Sequence, residues 1–309
     1  MIMGAQIQKK ILMLTDFSPA ATKALAYAQF IFKDQPTHFH ILHLYTPSIA
    51  QSRFMAVSIG MNHAEDLSLN LAIKGLEEQL ALAKKGNQIP QHSFSTQASF
   101  NLLVPAVKEV LSQEHFDMVV MGHKGKTGIE ANFMGSQTLR LIKGAIGVPI
   151  LAVPLKVSFK FPKSIAFATD FSRFFAASEL APLVSLAKDF KATIQVVQVR
   201  DPQIIPTEAQ QFNLLMLHKY LKELPFEEHR IKGVHRIARS LGAFSEAHGI
   251  HLLALLNYHH NLIEDLSKEA IARKLLKIAV APLFILPELG MTTHQNFPKT
   301  KSNAELFSA

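Results

Sequence analysis

Apolar and polar residues follow two rhythms along this chain. Ile11–Leu14, Phe39–Tyr45, Met118–Met121 and Val148–Val153 are short apolar runs with little polar alternation, the mark of strands buried on both faces. His92–Thr96 reads as a weaker strand. Between these runs apolar residues recur at helical spacing. Ser18 suits a helix N-cap and Pro19 the first helical position, ahead of a stripe of Ala21, Ala24, Leu25, Ala28, Ile31 and Phe32. Asn62–Lys85 reads as a helix with Leu69, Ile73, Leu76 and Leu80 on one face, ended by Gly86-Asn87. Leu102–Gln113 and Ser136–Lys143 read as two more. Strands alternating with helices predict a parallel sheet covered on both sides.

The pattern then repeats. Lys10-Ile11-Leu12-Met13-Leu14-Thr15-Asp16-Phe17-Ser18 is echoed by Ser164-Ile165-Ala166-Phe167-Ala168-Thr169-Asp170-Phe171-Ser172, and Asp16 to Asp170 is an offset of 154 residues. Val148-Pro149-Ile150-Leu151-Ala152-Val153-Pro154 is matched by Ala281-Pro282-Leu283-Phe284-Ile285-Leu286-Pro287. Two echoes in the same order point to a duplicated domain. Strands are expected at Ile165–Ala168, Thr193–Val199, His229–Lys232, Leu252–Leu256 and Leu283–Leu286, with helices at Arg173–Asp189, Val234–Ala247 and Lys268–Ile278. The second half is shorter, 112 residues from Asp170 to Pro282 against 133 from Asp16 to Pro149. The deficit falls after its second strand, where the first half has its long helix. Lys156–Lys163 reads as a linker and Leu289–Ala309 as a polar tail. The expected domains are 1–155, 156–288 and the tail.

Composition narrows the chemistry. Of 309 residues 48% are apolar and 18% charged, which supports packed cores and excludes wholesale disorder. There is no cysteine, so disulfides, zinc–thiolate sites, iron–sulfur clusters and a cysteine nucleophile are excluded. A formal charge of +8 favours anionic partners. No basic leader precedes an apolar stretch at the start, and no run of about 18 apolar residues occurs, so neither a signal peptide nor a membrane span is expected. A cytoplasmic location fits.

The main chemical signal follows the fourth strand: Met121-Gly122-His123-Lys124-Gly125-Lys126-Thr127-Gly128, then Gly135-Ser136-Gln137. Glycine lets a ligand approach the backbone, and free amides at a helix N-terminus suit phosphate. A helix starting at Ser136 would supply those amides, and Lys124 and Lys126 would add positive charge. A capped flexible loop would read the same way. Gly125-Lys126-Thr127 mimics the end of a P-loop, but Val120 stands where that motif needs its first glycine, and no G-x-G-x-x-G is present.

The spacing Gly122-x2-Gly125-x9-Gly135-Ser136, the Thr-Asp-Phe-Ser after the first strand and the closing Val-Pro-Ile-Leu-Ala-Val resemble the universal stress protein family, over the whole chain as two tandem copies. The resemblance implies two doubly wound α/β domains, each a five-stranded parallel sheet of order 3-2-1-4-5 sandwiched by helices. It also implies that Asp16 and Leu44 hold the adenosine of ATP, with Gly122, His123, Lys124, Gly125, Gly135, Ser136 and Gln137 around ribose and phosphates. AMP or ADP are alternative ligands, and Mg2+ a companion. Single-domain members dimerise through the last strand, so a tandem chain would form an internal pseudodimer. Further homodimerisation is left open.

Two departures matter. The family has Ser-His after the first glycine where this chain has His123-Lys124. In the second half Asn257-Tyr258-His259-His260 stands in place of the first two glycines and Lys268-Glu269 in place of the third. Close backbone approach is lost there, and Glu269 would repel phosphate. Nucleotide binding is therefore expected in the first half alone. His38 and His40 share one strand face but lack a carboxylate or thiolate companion for zinc. Glu264-Asp265 reads as a solvated cap, and Ser136, without a G-x-S-x-G elbow, is no nucleophile. Three functions follow: an ATP-binding stress-response or signalling protein with at most slow hydrolysis, a nucleotide-free adaptor acting through protein partners, and an ATP-dependent adenylating enzyme. Nucleic acid is not an expected partner, since the basic residues are scattered without interleaved aromatics.

Overall fold

A computed structural model describes residues 8–46, 67–85, 89–123, 131–144, 146–200, 203–233, 236–256, 271–278 and 281–289, with the backbone alone for 131–136. The first half runs β1 (Lys9–Thr15), α1 (Pro19–Ile31), β2 (Thr37–Leu44), α2 (Leu67–Lys85), β3 (His92–Ser99), α3 (Leu103–Gln113), β4 (Met118–His123), α4 (Ala131–Lys143) and β5 (Ile150–Pro154). The second runs β6 (Ser164–Ala168), α5 (Ala177–Phe190), β7 (Thr193–Val199), α6 (Glu208–Leu221), β8 (Phe226–Ile231), α7 (Ile237–Ala247), β9 (Leu252–Leu256), α8 (271–278) and β10 (Leu283–Leu286).

The strands form one ten-stranded sheet of order β3-β2-β1-β4-β5-β10-β9-β6-β7-β8. Each half has the order 3-2-1-4-5, with every pairing inside a half parallel. The halves meet antiparallel, Leu283 opposite Ala152, Phe284 opposite Leu151 and Ile285 opposite Ile150. Alternate strand residues point to two helical layers. Ile11, Met13, Val120, Phe167 and Phe284 pack under α1, α2, α5 and α6; Leu12, Val119, Met121, Leu253 and Ile285 pack under α3, α4, α7 and α8. Covering both faces explains why these strands are continuously apolar.

Several expectations change. α6 fills the region expected to lack a helix. Thr207 caps it, accepting from the Gln210 N–H at 3.2 Å, while Gln210 accepts from the Thr207 N–H at 3.1 Å. This reciprocal cap is legible as Thr-x-x-Gln. α2 is rotated from its expected face: Ala72, Leu76, Gln79 and Ala83 are buried and Ile73 is exposed. α4 begins at Ala131 rather than Ser136. Asn257–Glu269, Gly86-Asn87 and the tail beyond Leu289 lie outside the described residues.

The stretch read as a linker is packed. Val157 is buried, Phe161 stacks on Phe30 at 4.8 Å, and Phe159 meets Tyr27 and Phe30 edge-on. The Lys23 and Lys33 ammoniums lie over Phe159 and Phe161. Lys9 pairs with Asp189 at 2.9 Å, tying β1 to the end of α5. Phe161→Ala should therefore cost about 2 kcal/mol, less than a fully buried aromatic because one side is open, as read from the urea midpoint of the whole chain.

Candidate functional site

The repeated Thr-Asp-Phe-Ser segment builds the same turn twice. Phe17 and Phe171 have φ of 61° and 56°, a left-handed conformation uncommon for a bulky residue. Local hydrogen bonds hold it. The threonine hydroxyl accepts from the phenylalanine N–H, at 3.0 Å for Thr15 and 3.1 Å for Thr169. The aspartate Oδ1 accepts from the serine N–H, at 3.0 Å for both Asp16 and Asp170. Ser18 then caps α1 by accepting from the Ala21 N–H, and Pro19 supplies the first helical residue.

Strand register gathers the predicted residues. Leu14 is opposite Leu42 on one side and Met121 on the other. Two residues further along, Asp16, Leu44 and His123 therefore reach one level at the C-terminal rim of β1, β2 and β4, where open α/β sheets bind ligands. Asp16 is exposed and Leu44 half-buried. Phe17 stacks on His43 at 4.1 Å, and the His43 Nδ1 bonds the Thr15 carbonyl at 2.9 Å. Gly75 on α2 makes room for the Phe17 ring, since a Cβ there would stand 2.5 Å from it. Phe17, His43 and Gly75 escaped the sequence reading because no short motif links them.

Gly122 has a packing role. A Cβ at this position would lie 2.2 Å from the Ala20 carbonyl oxygen. β4 can pass under the first turn of α1 only with glycine here. His123 points to the opposite face. It is 1% exposed, and neither ring nitrogen has a partner among the described residues. Burial lowers its pKa to about 4, so the ring is neutral at pH 7. The Thr138 hydroxyl on α4 is likewise buried without a described partner. Gln137 is half-buried, and its Oε1 accepts from Arg140. Lys124 and Gly125 lie outside the described residues. Because α4 starts at Ala131, Gly135 and Ser136 sit in its second turn, and their amides bond back to the first turn rather than standing free. The free N-terminal amides expected at Ser136 are therefore not found there.

The second-half rim is covered by its own side chains. The Asp170 carbonyl accepts from Gln198 at 3.3 Å and from Gln210 at 3.0 Å, and the Phe171 carbonyl accepts from Asn213 at 2.9 Å. Among the described residues no side-chain amide reaches the Asp16 or Phe17 carbonyl. α6 delivers Gln210 and Asn213, so overlooking that helix hid the covering. His38 and His40 share a face as expected, but their nitrogens bond Ser93, Ser95 and Gln97. No group of three or more metal-binding side chains occurs among the described residues, and no helix there is long and apolar enough to cross a membrane.

The sequence model of the Universal stress protein family matches residues 8–154. No curated protein matches the chain. A universal stress protein from Archaeoglobus fulgidus DSM 4304 superposes with a TM-score of 0.65 at 15% identity, covering 90% of this chain and 98% of its own. A functionally unknown protein from Pseudomonas aeruginosa PAO1 gives 0.54 at 16% identity, with 91% and 94% covered. At such identities the likeness is one of fold, and it extends over both halves.

Two outcomes test this geometry. Gly122→Ala should destabilise the chain by about 3 kcal/mol or more, because the clash is with backbone that no rotamer change relieves, read from urea unfolding. His123 should keep its ring signals unchanged in NMR spectra between pH 8 and 5. Its folded pKa lies below its unfolded value, so its stabilisation is complete above roughly pH 6.5 and is lost as pH falls toward 4. Relative to His123→Leu, the wild type should lose roughly 3 kcal/mol across that window.

Proposed function

We propose that this chain, whose residues 8–154 match the Universal stress protein family model, binds an adenine nucleotide, ATP foremost, through its first half alone and serves a stress-response or signalling role. One contrast carries the reading. The first rim aligns Asp16, Leu44 and a buried His123 whose nitrogens lack described partners. The second rim spends the equivalent carbonyls on Gln198, Gln210 and Asn213. A buried polar ring without a partner costs free energy, which a ligand hydroxyl or ring nitrogen would recover. A neutral His123 suits ribose or base rather than phosphate charge.

Asp16 and Leu44 would contact adenosine. Lys124, Gly125, Gly135, Ser136 and Gln137 are the residues proposed to surround the ribose and phosphates. Mg2+ keeps several waters and favours phosphate oxygens over all-protein cages, so it would enter with the nucleotide. Hydrolysis would be slow at most. His123, with its pKa near 4, is a weak proton acceptor at neutral pH. Asp16 already accepts a backbone hydrogen bond. That same bond favours the second reading, a nucleotide-free adaptor, since Asp170 makes it too.

Calorimetry with Mg·ATP separates the two. The nucleotide reading expects one site per chain, abolished by Gly125→Val, weakened about tenfold by Asp16→Ala, and unchanged by Asp170→Ala. An absence of heat and of any melting shift at millimolar Mg·ATP would favour the adaptor.

A further inference from the structure

Phe39 and Phe94 point into the α2 layer, so the alternate residues of β2 and β3 occupy the other face of the sheet. There the register sets His38 opposite Ser93 and His40 opposite Ser95. Each imidazole spends both nitrogens on β3. His38 meets the Ser93 hydroxyl through Nδ1 at 2.8 Å and the Ser95 hydroxyl through Nε2 at 2.8 Å. His40 meets the same Ser95 hydroxyl through Nδ1 at 2.7 Å and the Gln97 Oε1 through Nε2 at 3.0 Å. Ahead of β1, the Gln8 Nε2 donates to the Ser93 Oγ at 3.1 Å. The two ends fix the direction, because a carboxamide nitrogen donates and a carboxamide oxygen accepts. His40 therefore donates from Nε2 to Gln97 and accepts at Nδ1 from Ser95. Ser95 accepts from the His38 Nε2, and the His38 Nδ1 accepts from Ser93. All five links close at once, with both rings neutral and carrying their proton on Nε2.

We propose that this chain of hydrogen bonds is an acid-sensitive fastener for β3, holding it to β2 while both imidazoles are neutral and loosening it when either takes up a proton. A protonated imidazole has two N–H donors and no acceptor. A proton added to the His40 Nδ1 faces the Ser95 hydrogen, and one added to the His38 Nδ1 faces the Ser93 hydrogen. The serine can turn to accept, but its own hydrogen then loses its acceptor. Charging both rings also sets two positive charges two strand residues apart, about 7 Å. Among the described residues β3 pairs only with β2, so no strand on its outer side shares the load. The surrounding charges are already engaged. Lys10 of β1 stands opposite His38 and pairs with Glu114, beyond α3, at 2.7 Å. Asp117 accepts from the Lys10 N–H at 2.8 Å and lies 3.9 Å from His115. β3 itself puts Ser93, Ser95, Gln97 and Ser99 on this face and no charged residue. Both rings are half-buried, so protons reach them. Burial holds the His38 pKa below its ordinary value, with Glu114 raising it and His40 and Lys10 lowering it. A folded pKa below the unfolded one makes the stabilisation complete above about pH 6.5 and fading as the pH falls below that. The device needs no ligand at the rim.

Two measurements on the full chain test the proposal. Histidine nitrogen shifts in NMR spectra at pH 7.5 should place the proton on Nε2 in both His38 and His40. Hydrogen exchange, corrected for the intrinsic rate at each pH, should show β3 amides losing about tenfold in protection between pH 7.5 and 5.5. Amides of β9, held between two strands, should change little over the same range. His38→Gln with His40→Gln keeps hydrogen-bonding amides and removes the titrating rings, so β3 protection should become flat with pH. Ser95→Ala cuts the chain of bonds at its middle, and β3 should then be as weakly protected at pH 7.5 as the wild type is in acid. A proton on Nδ1 in either ring would overturn the proposal. So would wild-type β3 protection that ignores pH, a pH dependence that survives the double glutamine substitution, or a Ser95→Ala chain whose β3 is as protected at pH 7.5 as that of the wild type.

Discussion

The whole molecule depends on the seam between β5 and β10. Each is the last strand of a half, short and buried on both faces, and each would end its half in an open apolar edge. Pairing them antiparallel uses both edges and makes one sheet from two. The seam also explains the packed connection between the halves. With the last strands fixed side by side, residues 156–163 must cross back over the layer, and Phe159 and Phe161 fill the space against Tyr27, Phe30 and Phe190. A connection that length usually tethers two bodies. Here its aromatic rings and the Lys9–Asp189 pair join the two halves within one helical layer.

Duplication supplied the same turn to both halves, and divergence gave the two rims different surroundings. The left-handed phenylalanine is costly, and both copies stabilise it with the same threonine and aspartate bonds. Beyond that shared turn the helix after the second strand decides the outcome. α2 presents Gly75 to the Phe17 ring, leaving the neighbouring carbonyls uncovered by described side-chain amides. α6 presents Gln210 and Asn213 to the matching carbonyls of Asp170 and Phe171. One rim is thus built from backbone and His123, and the other is closed by carboxamides.

Much of this was legible in the chain. The uninterrupted apolar runs gave strands such as Thr193–Val199 and Leu252–Leu256, because burial on both faces leaves no ambiguity of period. Helices were read less well where the signal was polar. α6 is marked by Thr207 and Gln210 rather than by a clean apolar stripe, since Phe212 and Leu215 face outward. α2 rotated because its packing partners, the Phe17 ring and the Thr15 and Thr22 hydroxyls that reach Gln79, lie far away in sequence. Of the site, Asp16, Leu44 and His123 could be named from sequence but not placed, since their common level follows from register across three strands.

The sequence by itself determined the duplicated α/β architecture, the strand periods, the Thr-Asp-Phe-Ser turns and the loss of glycines from the second copy. These are local properties, set by side-chain size, backbone freedom and spacing. Tertiary structure alone decided that Gly122 serves the crossing of β4 beneath α1, that His123 lies buried and neutral, and that the second rim is covered by Gln198, Gln210 and Asn213. The physical reason is the same in each case: these properties depend on atoms from chain segments far apart in sequence, and only the packed sheet and its helices bring them within reach.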